Sequence, residues 1–592
     1  MRELEYPFDA EYLIKKKKAI KKTLLEEDID FLDKKIAILG GSTTGDVKQL
    51  LEIFLLNQGI RPTFYESEYN KFYEDAMFEN PELDEFAPDI IYVYTTNRNI
   101  NVYPKITDSL ENVEELLDSE YKKFEGIWES LKSKYNCPII QNNFEYPFYR
   151  LLGNKDASSH YGRVNYITRL NLKFYEYAEK HDDFYICDIN YISSSYGLDK
   201  WSNEFYWYMY KYAMDVLAIP YLAFNVSNII KAIFGKNKKG FVLDLDNTLW
   251  GGIVGDDGVE NLAIGPEVAI GESYSEFQAY LKEYKNLGII LNIDSKNDYE
   301  NAIAGLNHAE GVLKPEDFIS IKANWDPKSK NLVDIANELN LGVDSLVFVD
   351  DNPAEREIIR QQVKGATVPE ITVPEEYIKI IDKSGFFEVT KISSDDLEKS
   401  KMYKENAERN NAMMTFSSYD DYLESLEMKA EIKPFSELYM SRISQLTNKS
   451  NQFNLTTKRY TQSEIKEISK NDNYIDIYGK LEDKFGDNGV VSVVIGNKKG
   501  DNLDIDLWLM SCRVLKRDME FAMMDTLVEK AKMLNISTIN GYYYPTAKNN
   551  MVKEFYKDHG FEKISEDDKG NTVWTLKVEN YKNKNKFIKV ED

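Results

Sequence analysis

Cysteine, histidine and positive charge are all in short supply in this 592-residue chain. The three cysteines, Cys137, Cys187 and Cys512, are too few and too scattered for a disulfide scaffold or a structural zinc site. The four histidines, His160, His181, His308 and His559, show no metal-ligand spacing. Lysine and arginine total 74 against 100 acidic residues, a formal charge of −26. That deficit argues against sequence-independent binding to nucleic acid, whose phosphates need a basic surface. The start, MRELEYPFDAEY, has no apolar leader core, and no apolar run of membrane-spanning length stands out. A cytoplasmic protein with neither membrane nor nucleic-acid partners is expected. Hydrophobic residues make up 43% of the chain, enough to build cores and exclude global disorder.

The chain alternates strand and helix signals in three blocks. Residues 2–33 read as a charged helix carrying the run Lys15–Lys22. KIAILGGST, then VKQLLEIFLLNQG closing at Gly59, then DIIYVYTTN give strand, helix and strand, the mark of a parallel sheet. A second alternation runs through GFVLDLDNTLWGG, FQAYLKEYKNLG, IILNIDSKND, KSKNLVDIANELNLG and SLVFVDDNPAERE. A polar helix beyond 395 leads to a hairpin, VVSVVIGNKKGDNLDIDLWLMSC, and a long amphipathic helix, DMEFAMMDTLVEKAKML. The expected domains are therefore 1–225, 236–385 and 395–580, with a frayed tail at 581–592.

Four polar clusters end apolar strands of the middle block: Asp244-Leu-Asp246-Asn-Thr248, Ser295, Lys328 and Asp350-Asp351. Open parallel sheets bind ligands at the carboxyl ends of their strands. Carboxylates gathered there repel unless a cation joins them, and hard oxygen ligands suit Mg²⁺. A hydroxyl and an ammonium suit a phosphoryl group.

These residues resemble the haloacid dehalogenase (HAD) phosphotransferase superfamily, whose first motif is a hydrophobic residue followed by D-x-D-x-T. The resemblance implies a Rossmann-like parallel sheet with little or no cap. It makes Asp244 the nucleophile and Asp246 the general acid/base. It places Mg²⁺ on Asp244, the Asp246 carbonyl and Asp350, and the phosphoryl group on Thr248, Ser295 and Lys328. Gly251 and Gly252 fall at a mobile turn beside the site. The second acid of the Asp350-Asp351 pair reads equally well as a stabiliser of its turn.

VLDLDNTLWGGIVGDDG, IKANWDPKSKNL and FVDDNPAERE are similar to the FkbH family, as are NQFNLTTKRYT from Asn451 and MSCRVLKRDME from Met510. That resemblance implies an enzyme that dephosphorylates a small phosphorylated metabolite such as 1,3-bisphosphoglycerate and passes the acyl group to an acyl-carrier-protein thiol. The alternative is a plain HAD phosphatase or glycan-biosynthesis enzyme whose outer domains only bind partners. Glyceryl loaders often carry Cys-Ser-Lys-Asn at the second motif. Here Asp294 stands in the Cys position, before Ser295-Lys296-Asn297. Acyl capture would then fall to the carrier thiol itself or to Cys512.

AKNNMVKEFYKDHGFEKI resembles the last motif of Gcn5-related N-acetyltransferases (GNAT), with Asn549 seven residues before Tyr556. This implies an α+β acyltransferase domain and a pantetheine site at Cys512, Arg513, Asn549 and Tyr556. The family's phosphate loop has two glycines where this chain has Lys516 and Asp518. Lys516-Arg517 and Lys15–Lys22 are the candidate basic spots for an acidic carrier. Ser42 in GGST and Asn97 in YTTN resemble two blocks of SGNH hydrolases, implying a flavodoxin-type sheet. Near Asp199, Ser202 sits where that family has its His, so the domain is expected to be degenerate.

Overall fold

The computed structural model describes residues 1–27, 29–392, 397–413, 415–450, 452–546 and 548–591. Three sheets form, in a mixed α/β chain. They fall in two compact units, one of residues 1–233 with 461–464, the other of 234–460 with 465–592. The central and C-terminal sheets thus share one unit.

In the first unit, β1 (Leu32–Gly40), β2 (Ile60–Glu66), β3 (Ile90–Tyr94), β4 (Ile139–Asn142) and β5 (Phe184–Cys187) form a sheet in the order β2-β1-β3-β4-β5. All pairs are parallel, which is the flavodoxin-type order expected. The helix after β1 spans Gly45–Asn57, and Gly59 follows it at φ +70°. The charged N-terminal segment condenses into a helix at Ala10–Glu26. Four of the six lysines in its run pair with acids: Lys17 with Asp46, Lys21 with Glu52, Lys15 with Glu11 and Lys22 with Glu26. It is therefore a weaker basic spot for an acidic partner than the sequence suggests.

One expectation about apolar runs is corrected. Residues 216–233 have the length and composition of a membrane span, but 72% of that window is buried. The helix Ile219–Ile233 packs on the helices Gly45–Asn57 and Ala10–Glu26. Its two lysine- and asparagine-bearing turns are satisfied internally, with Lys231 donating to Asn228. A helix apolar nearly all round is a core helix once its unit has folded.

The central sheet has β6 (Gly240–Leu243), β7 (Ile290–Ser295), β8 (Phe318–Ala323) and β9 (Leu346–Val349), in the parallel order β8-β7-β6-β9. FVL, ILNI and LVFV are apolar but for Asn292, which donates to the Phe241 carbonyl, because helices cover both faces. No cap domain is inserted; only a short flap lies between β6 and the helix Ala269–Asn286. The helix starting at Lys328 stops at Glu338, earlier than Gly342, with Asn340 taking the left-handed conformation (φ +52°).

The third sheet is mixed. It contains β10 (Lys429–Lys433), β11 (Phe453–Asn454), β12 (Tyr474–Asp483), β13 (Gly486–Lys499), β14 (Asn502–Met510), β15 (Thr538–Tyr543), β16 (Glu562–Glu566), β17 (Thr572–Lys577) and β18 (Lys589–Glu591). Its order is β16-β17-β15-β14-β13-β12-β10-β18, with β11 on β14. The expected hairpin is β13–β14, and Gly500 turns it at φ +66°. The polar connecting helix runs Lys399–Met413; residues 393–396, at the expected boundary, lie outside the described residues.

The expected frayed tail is instead part of this domain. Tyr581 and Ile588 are buried, and β18 pairs in parallel with β10. The buried carboxylate of Asp525 gathers the segment, accepting from the Tyr581 hydroxyl at 2.7 Å and from the Lys584 and Asn585 amides at 3.0 Å. Losing a buried acceptor leaves several donors unsatisfied. Asp525→Ala is expected to cost about 2–4 kcal/mol in urea unfolding, and ending the chain at Asn580 to lower Tm by about 5 °C or more; an unchanged midpoint in both would reject this role.

Candidate active site

The apolar strands β6 and β9 lie side by side, so Asp244 and Asp350 leave the sheet as neighbours. Carboxylate oxygens of Asp244, Asp350 and Asp351 all lie within 4.8 Å of one another. Lys328, the first residue of its helix, reaches into this cluster. Its Nζ is 2.9 Å from Asp244 and 2.5 Å from Asp350. Burial works against the Lys328 charge, but the two aspartates together hold its proton far above the usual lysine range. Burial, then repulsion from Asp244, raises Asp350, and the same two causes raise Asp351. Three carboxylates, two buried and one half-buried, facing one ammonium leave an excess of negative charge. Three hard oxygen donors in a small, charge-deficient space fit a Mg²⁺ ion.

Asp246 points away from this cluster. Its carboxylate accepts from Trp250 Nε1 (2.9 Å), the Val254 amide (3.1 Å) and Asn297 Nδ2 (2.8 Å). Burial raises its pKa, and those three bonds oppose the rise. The side chain is thereby oriented and kept protonatable, as an acid/base group requires. The turn just after Asp246 is made by Asn247, whose φ of +55° suits Asn better than most residues. Its side chain accepts from the Gly252 amide, and the Tyr274 and Tyr377 hydroxyls donate to its carbonyl.

Of the residues expected to hold phosphate, Lys328 and Ser295 are buried at the ends of their elements beside the cluster. Thr248 is fully buried, and its hydroxyl accepts from the Asp351 amide at 3.2 Å, so it ties the two acidic loops together. Sequence reasoning left Asp351 undecided; its carboxylate belongs to the cluster. It missed Trp250, Asn297 and Arg356. Buried Arg356 donates to the carbonyls of Asp350 (2.8 Å) and Asp351 (2.7 Å), fixing their loop.

Asp294, in the position where a Cys was considered, is completely buried. One oxygen accepts from Asn331 at 3.0 Å; the other has no partner. Burial pushes its pKa up to about 8, with Asn331 and Lys328 opposing and Asp244 and Asp350 adding to the rise.

The pantetheine site expected in the C-terminal domain does not form an open cleft. β14 and β15 pair only from Asn502–Asp504 to Thr538–Asn540, then diverge. The gap is filled by the chain itself: β11 pairs with the end of β14, Leu455 N–H donates to Trp508 O, and Tyr544 N–H donates to Leu455 O. Buried Asn549 spends its amide on this wedge, donating to Asn454 O and Tyr544 O, both at 2.9 Å. Tyr556 is fully buried in the domain core, against Gly541, Phe561 and Trp574. Arg513 is buried with its guanidinium on Ser511 and Met402, and the Cys512 side chain lies outside the described residues. Lys516 and Asp518 both adopt a left-handed φ, +63° and +62°. Arg517 is unavailable as a docking cation: it is buried and bonded to Asp483, Asn406 and the Arg513 carbonyl.

In the first unit Ser42 is 2% exposed. Its loop is sealed from above, because Thr43 donates its amide to Lys211 O and its hydroxyl to Tyr210 O. His181 stacks on Tyr177 and His160 lies tilted against Tyr161, while Asp199 is exposed. No Ser-His-Asp arrangement is assembled among the described residues.

Residues 35–231 match the model of the FkbH N-terminal domain. Among solved structures, the N-terminal part of the protein BF1531 from Bacteroides fragilis, containing a phosphatase domain complexed with Mg, is 29% identical at a TM-score of 0.58. The match covers 63% of this chain and 99% of that one. The ribosomal-protein-S18-alanine N-acetyltransferase of Escherichia coli matches 25% of this chain and 94% of its own at 10% identity, with a TM-score of only 0.20. No curated protein matches the chain.

The Asp294 carboxyl generates a signed expectation. In the folded protein it keeps its proton to about pH 8, whereas an unfolded aspartate loses it near about pH 4. Between those values the folded state carries the extra proton, so stability falls as pH rises. Asp294→Asn is expected to flatten that fall and to raise stability at about pH 8 by about 1–3 kcal/mol. Urea unfolding of both proteins across the window reads it; parallel pH profiles would refute it.

Proposed function

Taking the chain as FkbH-like, with a HAD-type phosphatase domain at its centre, we propose that it releases phosphate from a small phosphorylated or acyl-phosphate metabolite with Asp244 as nucleophile. The observation that carries this reading is the division of labour between two aspartates. Asp244 lies in the charged cluster beside Lys328, while Asp246 is turned aside, oriented by three donors and raised in pKa.

An Asp244 oxygen attacks phosphorus, and the bond from phosphorus to the leaving oxygen breaks. Asp246 gives its proton to that oxygen. The resulting carboxylate then takes a proton from water, whose oxygen attacks the phosphoryl-aspartate and frees Asp244 and inorganic phosphate. Lys328, with Ser295 beside it, neutralises and orients the phosphoryl oxygens. Asp244, Asp350 and Asp351 would hold Mg²⁺, which when bound offsets carboxylate repulsion and phosphoryl charge.

A second reading, transfer of a glyceryl or similar acyl group to an acyl-carrier-protein thiol, would use the carrier thiol directly or Cys512. Asp294 offers no sulfur in the central pocket, and burial pushes the Cys137 thiol up to about 12, out of reach of thiolate chemistry. The wedge Phe453–Leu455 also fills the place where the C-terminal domain would take an extended pantetheine arm. These features favour phosphate release as the primary activity. Phosphate assays over acyl and sugar phosphates, with a mass readout on added carrier protein, separate the two readings.

Asp244→Asn is expected to lower turnover by about 1000-fold or more, and chelation of divalent metal to abolish it. Phosphate release that survives both would overturn the assignment. Asn297→Ala removes a bond that holds the Asp246 pKa down. It should therefore move the alkaline limb of the kcat profile upward in pH, while looser orientation lowers kcat by about tenfold.

A further inference from the structure

The first unit contains a cavity of about 330 Å³ that none of the chemistry above uses. It opens at the carboxyl ends of β3 and β4, bounded by the loops after them (Asn97-Arg98 and Glu145–Tyr149), by Arg163 and by residues 201–208. The neighbouring crevice at β1, where a flavodoxin-type sheet changes direction, is closed by the segment over Ser42. The open volume is thus displaced by one strand.

Its walls are aromatic, and arginines already lie against three of the rings. The Arg98 guanidinium lies over Trp207 at 4.3 Å, and that of Arg163 lies over Tyr103 at 4.7 Å and Tyr149 at 4.9 Å. A cationic ligand would have to displace them. Arg98 is paired with Glu204 at 2.6 Å, and Glu204 also accepts from Ser202 at 2.9 Å. Arg163 has no carboxylate partner among the described residues; only rings hold it. The remaining acid, Glu145, is buried, accepts from the Asn97 amide at 3.1 Å, and is pushed by burial up to about 7. The cavity therefore holds a preoriented guanidinium and lacks the anion to match it. At its mouth Tyr208 is 70% exposed, and Tyr149 and Phe148 are also exposed, so the apolar wall is reachable from solvent.

We propose that this cavity binds a small organic anion, a carboxylate or phosphate monoester with a flat or aliphatic body, its charged end on Arg163 and its body against Tyr149, Trp207 and Tyr208. The domain is then a ligand-binding module rather than a hydrolase, with a site separate from the central carboxylate cluster.

Calorimetric titration of the full chain without divalent metal, at about pH 6 where Glu145 is protonated, tests this. Benzoate and phenyl phosphate serve as the anions, benzyl alcohol and benzylammonium as the neutral and cationic counterparts of the same body. At least one anion is expected to bind about tenfold or more tighter than the alcohol. Arg163→Ala should lose about tenfold or more of that affinity, and Arg163→Lys should restore part of it. Tyr149→Ala, at an exposed position, should weaken binding as well. Hydrolysis of p-nitrophenyl phosphate by Arg163→Ala, unchanged within about twofold, reports an intact chain. The preference between the two anions tells a carboxylate ligand from a phosphate one. Equal binding of the alcohol, binding that survives Arg163→Ala, or no heat from either anion would overturn the proposal.

Discussion

Everything at the centre of this chain answers to the repulsion among three carboxylates that two adjacent strands bring to one edge. Asp244, Asp350 and Asp351 are close enough that their negative charges repel unless a cation lies among them. Lys328 supplies one positive charge from the first turn of its helix, which explains why that helix must begin there. Arg356 and Thr248 then hold the acidic loops from behind through backbone groups, without adding a charge to the cluster itself. Asp294 keeps its proton chiefly because it is buried, and the charges of Asp244 and Asp350 add to that cause. The site is thus built as a near-balance in which each additional charge has a prescribed answer.

The C-terminal half of the same unit solves a similar problem with the opposite sign. Arg409 and Arg517 are buried together, and Asp483 serves both: it accepts from Arg409 through two nitrogens at 2.8 Å and from Arg517 at 3.1 Å. A buried guanidinium left without its acid is strongly destabilising. This pins the connecting helix Lys399–Met413, which carries Arg409, to the β12–β13 hairpin. It also consumes the arginine that sequence alone offers as a docking charge.

What could be read from sequence follows a physical boundary. Asp244, Asp246, Asp350 and Lys328 were legible because a polar residue ending an apolar strand is conspicuous, and because the order of such strands fixes the edge they share. The flavodoxin-type order of the first sheet was legible from strand–helix alternation. Trp250, Asn297 and Arg356 were not, because each acts through a partner brought near only by folding. The same reason defeated the reading of Lys15–Lys22, where the acids of Lys17 and Lys21 sit on the next helix, and of the 581–592 segment, whose polar letters conceal a carboxylate anchor at Asp525. Asn549 and Tyr556 fit a motif by spacing, yet spacing does not reveal that β11 already occupies the gap between β14 and β15.

The pairing of β18 with β10 has a consequence for how the chain comes into being. Lys429–Glu431 pairs with β12 on one side but finds its second neighbour only at Lys589–Glu591, and β11 waits for β14 and for Tyr544 beyond it. One margin of the third sheet is thus closed by a contact of very high sequence separation, which forms late and slowly. During synthesis the β10 edge stands uncovered for most of the domain's translation, an open template for pairing with another chain. The aggregation risk of this protein is therefore concentrated in time, in the interval between making that edge and making its cover.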